Sequence, residues 1–579
     1  MNNKTQTSNY DKYPKIHVQG YEQQGWKGYE DILAVISRGK KQGKYILVVD
    51  TYPGVKDDEL IPQLMKLKPD YFVNMKDCFK SEELIEEQIK YYLTEDRVFG
   101  KMYFGQVDDF FDEQSYLKQQ DKIRNTNGFI IVYGFAAYQL VQGDCLIYCD
   151  MARWEIQMRY RLGMSNYKAN NTTEDTLRKF KRGYFIEWRI ADKHKRSLFD
   201  KIDYYMDTNR VDDPNMISGE ALLEGLRQTA QQPFRTVPYF DPGVWGGQWM
   251  KEVCGLDASE KNFAWSFDGV PEENSLYIQL GQITVEVPAM NLVLYQPKEL
   301  LGEKVFARFG AEYPIRFDFL DTMEGQNLSL QVHPLTDYIH SQFGMSYTQD
   351  ESYYILDAIE GATVYLGVKD GVKSEELLAE LKMAQVDGTV FEIENYINQF
   401  SAKKHDNFLI PAGTIHCSGA GCMVLEISAT PYIFTFKLWD WARVGLDGKP
   451  RPIHIEHGEK VIQWDRRTKW VKDNLVNQIN TVEENANYLE EHTGLHELEF
   501  IETRRYWINT SCLMDTKGTF HMLNLIEGQE AIVESPTQQF NPFVVHYAET
   551  FIIPASVGEY IIRPRDEEKI VVIKAYVRD

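Results

Sequence analysis

Two textures of hydrophobic patterning divide the chain. Up to about residue 235, solid apolar runs alternate with segments of helical spacing. KYILVVDTYPG (44–54) reads as a strand ending in a turn, and DDELIPQLMKL (57–67) as a helix with acidic residues at its start. GFIIVYG (128–134) is a second strand, followed by a helix. LIYCDMARWEIQMRYRLG (146–163) begins as a strand and turns helical, and RGYFIEWRIAD (182–192) reads as a further strand. NYKANNTTED (166–175) is an exposed loop and helix start. This alternation predicts a layered α/β domain over 1–235.

From PYFDPGVWGGQW (238–249) onward the pattern becomes short strands broken by Gly, Pro and Asn: LYIQLGQITVEV (276–287), LSLQVHP (328–334), YYILDA (353–358), TVYLGV (363–368), NFLIPAGTIHC (407–417) and CMVLEISA (422–429). Such density of short strands predicts sandwiches or barrels. SEELLAELKMAQ (374–385) and the stretch around 458–475 carry helical spacing. One β-unit recurs: FLIPAGTIH (408–416) returns as FIIPASVGE (551–559), with Glu559 where the first copy has His416. The expected organisation is an α/β domain (1–235), a β-domain (236–450), a helical insert (451–494) and a second, similar β-domain (495–579), an α+β multidomain chain.

At 579 residues there is ample apolar material for several cores. The formal net charge of -23 repels phosphate backbones, so no nucleic-acid partner is expected, although a few local cations suffice for a small phosphorylated ligand. Seven scattered cysteines argue against a disulfide framework and for a reducing compartment. With no apolar leader and no run of about 20 apolar residues, a cytoplasmic protein without a membrane span is expected.

Gln331 and His333 are two apart on an alternating strand and share a face. Glu351 precedes the YYILDA strand, and His416 ends FLIPAGTIH after a turn that can aim it inward. An amide oxygen, two imidazoles and a carboxylate suit a divalent ion, zinc first, with manganese, iron or cobalt as alternatives; one ion per chain is expected. In the N-terminal domain, GKKQGKY (39–45) lacks the order of a phosphate-binding loop. Asp50, Asp108, Asp109 and Asp150, at strand ends or turns, read as solvated turn residues, and the second β-domain reads as structural.

In order along the chain, GVWGGQWMKE (243–252), FAWSFDG (263–269), LSLQVHP (328–334), ESYYILDA (351–358), FLIPAGTIH (408–416), MVLEIS (423–428) and TFKLWDWAR (435–443) resemble the bacterial type of class I mannose-6-phosphate isomerase, a family of the cupin superfamily. The resemblance starts near Pro238 and implies double-stranded β-helix (jelly-roll) domains. It implies zinc held by Gln331, His333, Glu351 and His416, with Arg443 at the active-site rim and Lys437 as a second basic residue. It also implies a sugar or sugar-phosphate substrate and an aldose–ketose isomerisation. Two departures accompany it. Asp318 and Gln349 stand where the family typically has lysines that help to bind phosphate and move protons, and Asp318 is expected to add a repelling charge. Two other readings remain open: a carbohydrate-sensing protein that keeps the cage without turnover, and a bifunctional protein whose N-terminal domain has its own sugar or nucleotide activity.

Overall fold

The computed structural model describes residues 6–429, 432, 434–497, 499–566 and 568–578. They fall into two compact units that do not follow the boundary expected at 235/236. One comprises Lys15–Thr229 with Glu273–Gln296; the other comprises Met1–Pro14, Ala230–Glu272 and Pro297–Asp579.

The first unit is built on a seven-stranded sheet. An inner strand, Tyr45–Thr51, lies parallel to Phe129–Gly134 on one side and to the central strand, Cys145–Asp150, on the other. Every residue of these three strands is buried. That is why their sequences are solid apolar runs: helices cover both faces of a parallel sheet and no face is left for polar residues. Asp50 and Asp150, near the carboxyl ends of neighbouring strands, are fully buried and are not solvated turn residues. Asp50 Oδ2 lies 2.9 Å from His194 Nε2, and both oxygens of Asp150 lie 3.0 Å from Lys195 Nζ.

The strand expected at 182–192 is helical instead. Gly183–Glu187 forms a π-helical turn that runs into the helix Trp188–Arg196. All of Gly183–Trp188 is buried, and a helix buried on every side shows an apolar run with no helical period to betray it.

The segment 276–287 does form strands, but they belong to this unit. Ser275–Leu280 and Ile283–Pro288 pair as a hairpin, and Lys15–His17 adds to it in parallel. The helix that follows carries Asn291, whose Oδ1 accepts from Lys195 Nζ (2.9 Å) and whose Nδ2 donates to Asp150 Oδ2 (2.8 Å).

In the second unit two β-barrels repeat one plan. The first pairs a six-stranded sheet with a five-stranded one; the second pairs a six-stranded sheet with a four-stranded one. In the first, Asn407–Ile410, Glu351–Ala358, Cys422–Ser428 and Arg316–Asp321 lie side by side; in the second, Thr550–Ile553, His521–Glu527, Ile570–Val577 and Ile501–Ile508 do. The repeated Ile-Pro-Ala sets the same register in both: Glu351 pairs with Ile410, and His521 with Ile553.

The insert expected to be helical over 451–494 is so only in part, at Ile455–Gly458 and Thr468–Asn474. Asn480–Glu484 and Tyr488–His492 form a hairpin on the second six-stranded sheet. Its turn is fixed by Asn485, whose side-chain oxygen accepts from the backbone N–H of Asn487 and Tyr488, a polar closure that the glutamate-rich composition disguises. No helix among the described residues is long and apolar enough to cross a membrane.

Residues 15–229 expressed alone are expected to be less stable to urea than the same residues joined by a flexible linker to 273–296. The difference should be at least about 1–3 kcal/mol, the cost of leaving the buried groups around Asn291 unsatisfied. Equal midpoints would show that the hairpin and its helix contribute nothing to this unit.

Candidate metal centre

Gln331 lies on the strand Leu330–Val332, with His333 next along the chain. Gln331 pairs with His416 on one neighbouring strand and with Lys437 on the other. Paired residues of an antiparallel ladder share a face, so all three approach the barrel interior from the five-stranded sheet. Glu351 opens its strand in the opposing sheet. The turn that delivers His416 requires glycine: Gly413 has φ +87°, and a Cβ there would stand 2.8 Å from the Val461 carbonyl oxygen. Its N–H donates to His333 O at 2.9 Å, which ties the two histidine segments together.

His333, Glu351 and His416 are each 0% exposed. His333 Nε2 lies 3.1 Å from Glu351 Oε2, and His416 Nε2 lies 3.0 Å from Glu351 Oε1. The backbone fixes both tautomers. His333 Nδ1 lies 2.9 Å from Phe434 O, and His416 Nδ1 lies 2.9 Å from Thr414 O. A carbonyl only accepts, so each Nδ1 carries the proton and each Nε2 presents a lone pair. Two imidazole lone pairs and a carboxylate therefore face one another in a dry interior, and His333 Nε2 and Glu351 Oε1 have no hydrogen-bond partner. A cation among them removes the conflict. Two nitrogens and a carboxylate oxygen form a donor set that a divalent transition ion accepts, so the residues present fit a bound metal.

The only other relief is a proton. Burial lowers the pKa of His333, but the Glu351 charge outweighs it and the net shift is upward. Burial holds His416 below its ordinary value. Burial also raises Glu351, yet the two histidines outweigh this and keep it well below the usual carboxylate range.

The other expected site residues divide. Gln331 stands beside the centre with Nε2 3.1 Å from His416 Nε2, while its Oε1 accepts from Ser329 Oγ at 3.1 Å. A half-turn of the amide, which preserves its shape, presents the oxygen instead. Arg443 is engaged by its neighbours: its guanidinium bonds the Asp440 carboxylate and, at 2.8 Å, Asn327 O. Arg451 shares Asp440, with Nε 2.9 Å from Oδ2.

Asp318 is not the repelling charge expected. It is the counterion of Arg316, whose Nε lies 3.0 Å from its Oδ2 with both side chains buried. Gln349 holds the centre instead of facing a phosphate: its Nε2 donates to Glu351 Oε2 at 2.9 Å, and its Oε1 accepts from Phe434 N at 2.8 Å. Glu426 escaped the sequence reading. It pairs in register with Asp318 and with Tyr353 and lies 3.3 Å from Gln349 Nε2. Burial, then the charges of Glu351 and Asp318, push its pKa well above the ordinary range. The available signal was a lone glutamate in the otherwise apolar strand CMVLEIS.

The two facing sheets of the first barrel thus enclose two imidazoles and a carboxylate. Over about 60% of its length the chain is similar to mannose-6-phosphate isomerases, and the remainder is a separate region. It is 23% identical over 334 residues to mannose-6-phosphate isomerase ManA of Bacillus subtilis, covering 57% of this chain and 95% of that protein. It is 27% identical over 221 residues to the mannose-6-phosphate isomerase of Streptococcus mutans, covering 38% of this chain and 64% of that one. The crystal structure of the Bacillus subtilis mannose 6-phosphate isomerase superposes with a TM-score of 0.49 at 18% identity, covering 60% of this chain and all of that one. Residues 28–231 match a family described as a domain of unknown function (DUF8485).

Zinc added to the metal-free protein is expected to raise its stability by mass action, about 2.7 kcal/mol at 100 times the dissociation constant. His333→Ala combined with His416→Ala should abolish this gain and the bound ion. A double variant that keeps its ion by elemental analysis, or still gains stability with zinc, would remove these residues from the site.

Proposed function

We propose that this chain is a metal-dependent aldose–ketose isomerase acting on a sugar or sugar phosphate, with Gln331, His333, Glu351 and His416 as ligands of one divalent ion, zinc first. The observation that carries the reading is the convergence of His333, Glu351 and His416 with Glu426 close by. A divalent ion bound there supplies electrophilic pull on the carbonyl and neighbouring hydroxyl oxygens of the sugar. The chain's residues supply the rest. The Nδ1 bonds to Phe434 O and Thr414 O orient the imidazoles, and Gln349 orients Glu351. Glu426, in register with Asp318 and Tyr353 and 3.3 Å from Gln349 Nε2, is the group we assign to moving a proton between adjacent sugar carbons. Lys437, across from Gln331, brings a positive charge to the same face. The similarity to mannose-6-phosphate isomerases supports the substrate class.

The Arg316–Asp318 pair is net neutral, so it does not replace the lysines that resemblance leads one to expect at 318 and 349. Mannose 6-phosphate should therefore be turned over about two to four orders of magnitude less efficiently than by a dedicated isomerase, the consequence of two lost charge-assisted contacts. The sensing alternative is favoured by one observation, the engagement of Arg443 with Asp440 and Asn327 O.

The deciding assay offers the zinc-loaded protein mannose 6-phosphate, fructose 6-phosphate and unphosphorylated sugars and follows aldose–ketose conversion. Turnover is expected for at least one of them, with Glu426→Gln lowering kcat by about 10²–10⁴ while KM changes little. No turnover of any of them, with sugar binding retained, would replace the isomerase reading by the sensing one. Efficient turnover of mannose 6-phosphate would refute the inference drawn from Asp318 and Gln349.

A further inference from the structure

The repeated register shows what has become of the metal cage in the second barrel. Gln331 pairs with His416 in the first barrel, and Asp515 pairs with Glu559 in the second. Glu351 pairs with the isoleucine of one Ile-Pro-Ala, and His521 with the isoleucine of the other. Two residues further along those strands, Tyr353 faces Glu426 and Leu523 faces Lys574. In the six-stranded sheets the Glu351 position is thus His521, and Glu426 is replaced by Lys574; Asp515 and Glu559, which alternate with the core residues Met514 and Tyr560, are exposed. His521 and Lys574 line a cavity of about 510 Å³ that the exposed Asp515, Lys517 and Glu559 border. Where the first barrel has the buried Glu426, the second has a buried lysine.

Lys574 is the unusual member. It is 7% exposed and lies in the same alternating row as Ile570 and Val572, which belong to the barrel's apolar core. Among the described residues its ammonium makes no hydrogen bond and no ion pair; it lies 4.8 Å from the ring centre of Tyr506 and 5.2 Å from that of Tyr576. Burial lowers its pKa to about 8. Of the cavity's carboxylates, Glu490 accepts from Tyr506 Oη, Glu502 is bonded by His492 and Arg578, and Glu483, Asp515 and Glu559 are exposed. His521 spends Nδ1 on Tyr560 Oη at 2.6 Å, and Thr519 Oγ1, also on the cavity wall, is buried without a partner. A lysine buried this deeply is costly unless an anion meets it.

We propose that the second barrel carries a metal-free ligand site at the position of the first barrel's cage, taking a small polyhydroxylated anion whose oxyanion lies against Lys574 and His521. Asp515 and Glu559, exposed at the edge of the cavity, accept hydrogen bonds from its hydroxyl groups. The cavity has room for a sugar acid or a sugar phosphate, and the two share this recognition chemistry. The site is independent of the isomerase reading, since none of its residues lies in the first barrel.

The test is titration calorimetry on the full chain stripped of metal by a chelator, with gluconate, glucose 6-phosphate and inorganic phosphate as separate probes. At least one is expected to bind at about one per chain, and the gluconate and phosphate arms tell which oxyanion is preferred. Lys574→Met should weaken that binding at least about tenfold, the loss of one charge-assisted hydrogen bond. His521→Gln, which keeps the size and polarity of the side chain, should weaken it in the same direction and serves if the lysine variant does not fold. No binding of any probe, or affinity unchanged in the variants, would overturn the proposal.

Discussion

The confrontation of unprotonated acceptors inside the first barrel is the constraint on which the rest of its architecture depends. Two imidazole Nε2 atoms lie 3.0–3.1 Å from one carboxylate, and His333 Nε2 and Glu351 Oε1 have no hydrogen-bond donor. In a dry interior such an arrangement is unfavourable by itself, and the surrounding structure maintains it. Phe434 O and Thr414 O pin the imidazole tautomers, Gln349 pins the carboxylate, and the left-handed Gly413 locks the two histidine segments together. The barrel is thereby preorganised for a cation, and the energy stored in the conflict is returned when a cation arrives.

The second barrel meets the same geometry with the opposite charge. A carboxyl at Glu426 becomes an ammonium at Lys574, and the counterpart of the Asp318–Glu426 pair is Arg504–Lys574. The frame of two facing sheets tolerates both because each interior position is set by strand register and not by the residue that fills it. One duplicated unit thus presents a metal-ready cavity in one barrel and a cavity with a buried lysine in the other.

Part of this was legible in the sequence. Alternation alone put Gln331 and His333 on one face, and the repeated Ile-Pro-Ala announced two similar barrels. Glu351 is separated from QVHP by a loop and a helix, so only family resemblance joined it to the histidines. The i,i+2 spacing of Arg316 and Asp318 showed that they share a face, but whether they bond each other or leave the carboxylate bare depends on a burial that spacing does not reveal. The segment 182–192 was misread because its first part, Gly183–Trp188, is buried on every side, which erases the helical period there. Asp50 and Asp150 were misread because a strand-end aspartate looks the same whether it meets solvent or a buried lysine. Lys574 was invisible for a related reason: within IVVIKAYV it resembles the outward residue of an edge strand, and only pairing with Ile501–Ile508 and His521–Glu527 on its two sides turns it inward.

The most direct test of the preorganised centre is anomalous X-ray diffraction at the zinc edge from crystals of the zinc-loaded full chain. The account predicts one strong peak per chain at about 2.0–2.2 Å from His333 Nε2, His416 Nε2 and a Glu351 carboxylate oxygen, the usual bonding distances for those donors. A fully zinc-loaded crystal with no peak among these three side chains, its zinc bound elsewhere, would contradict it.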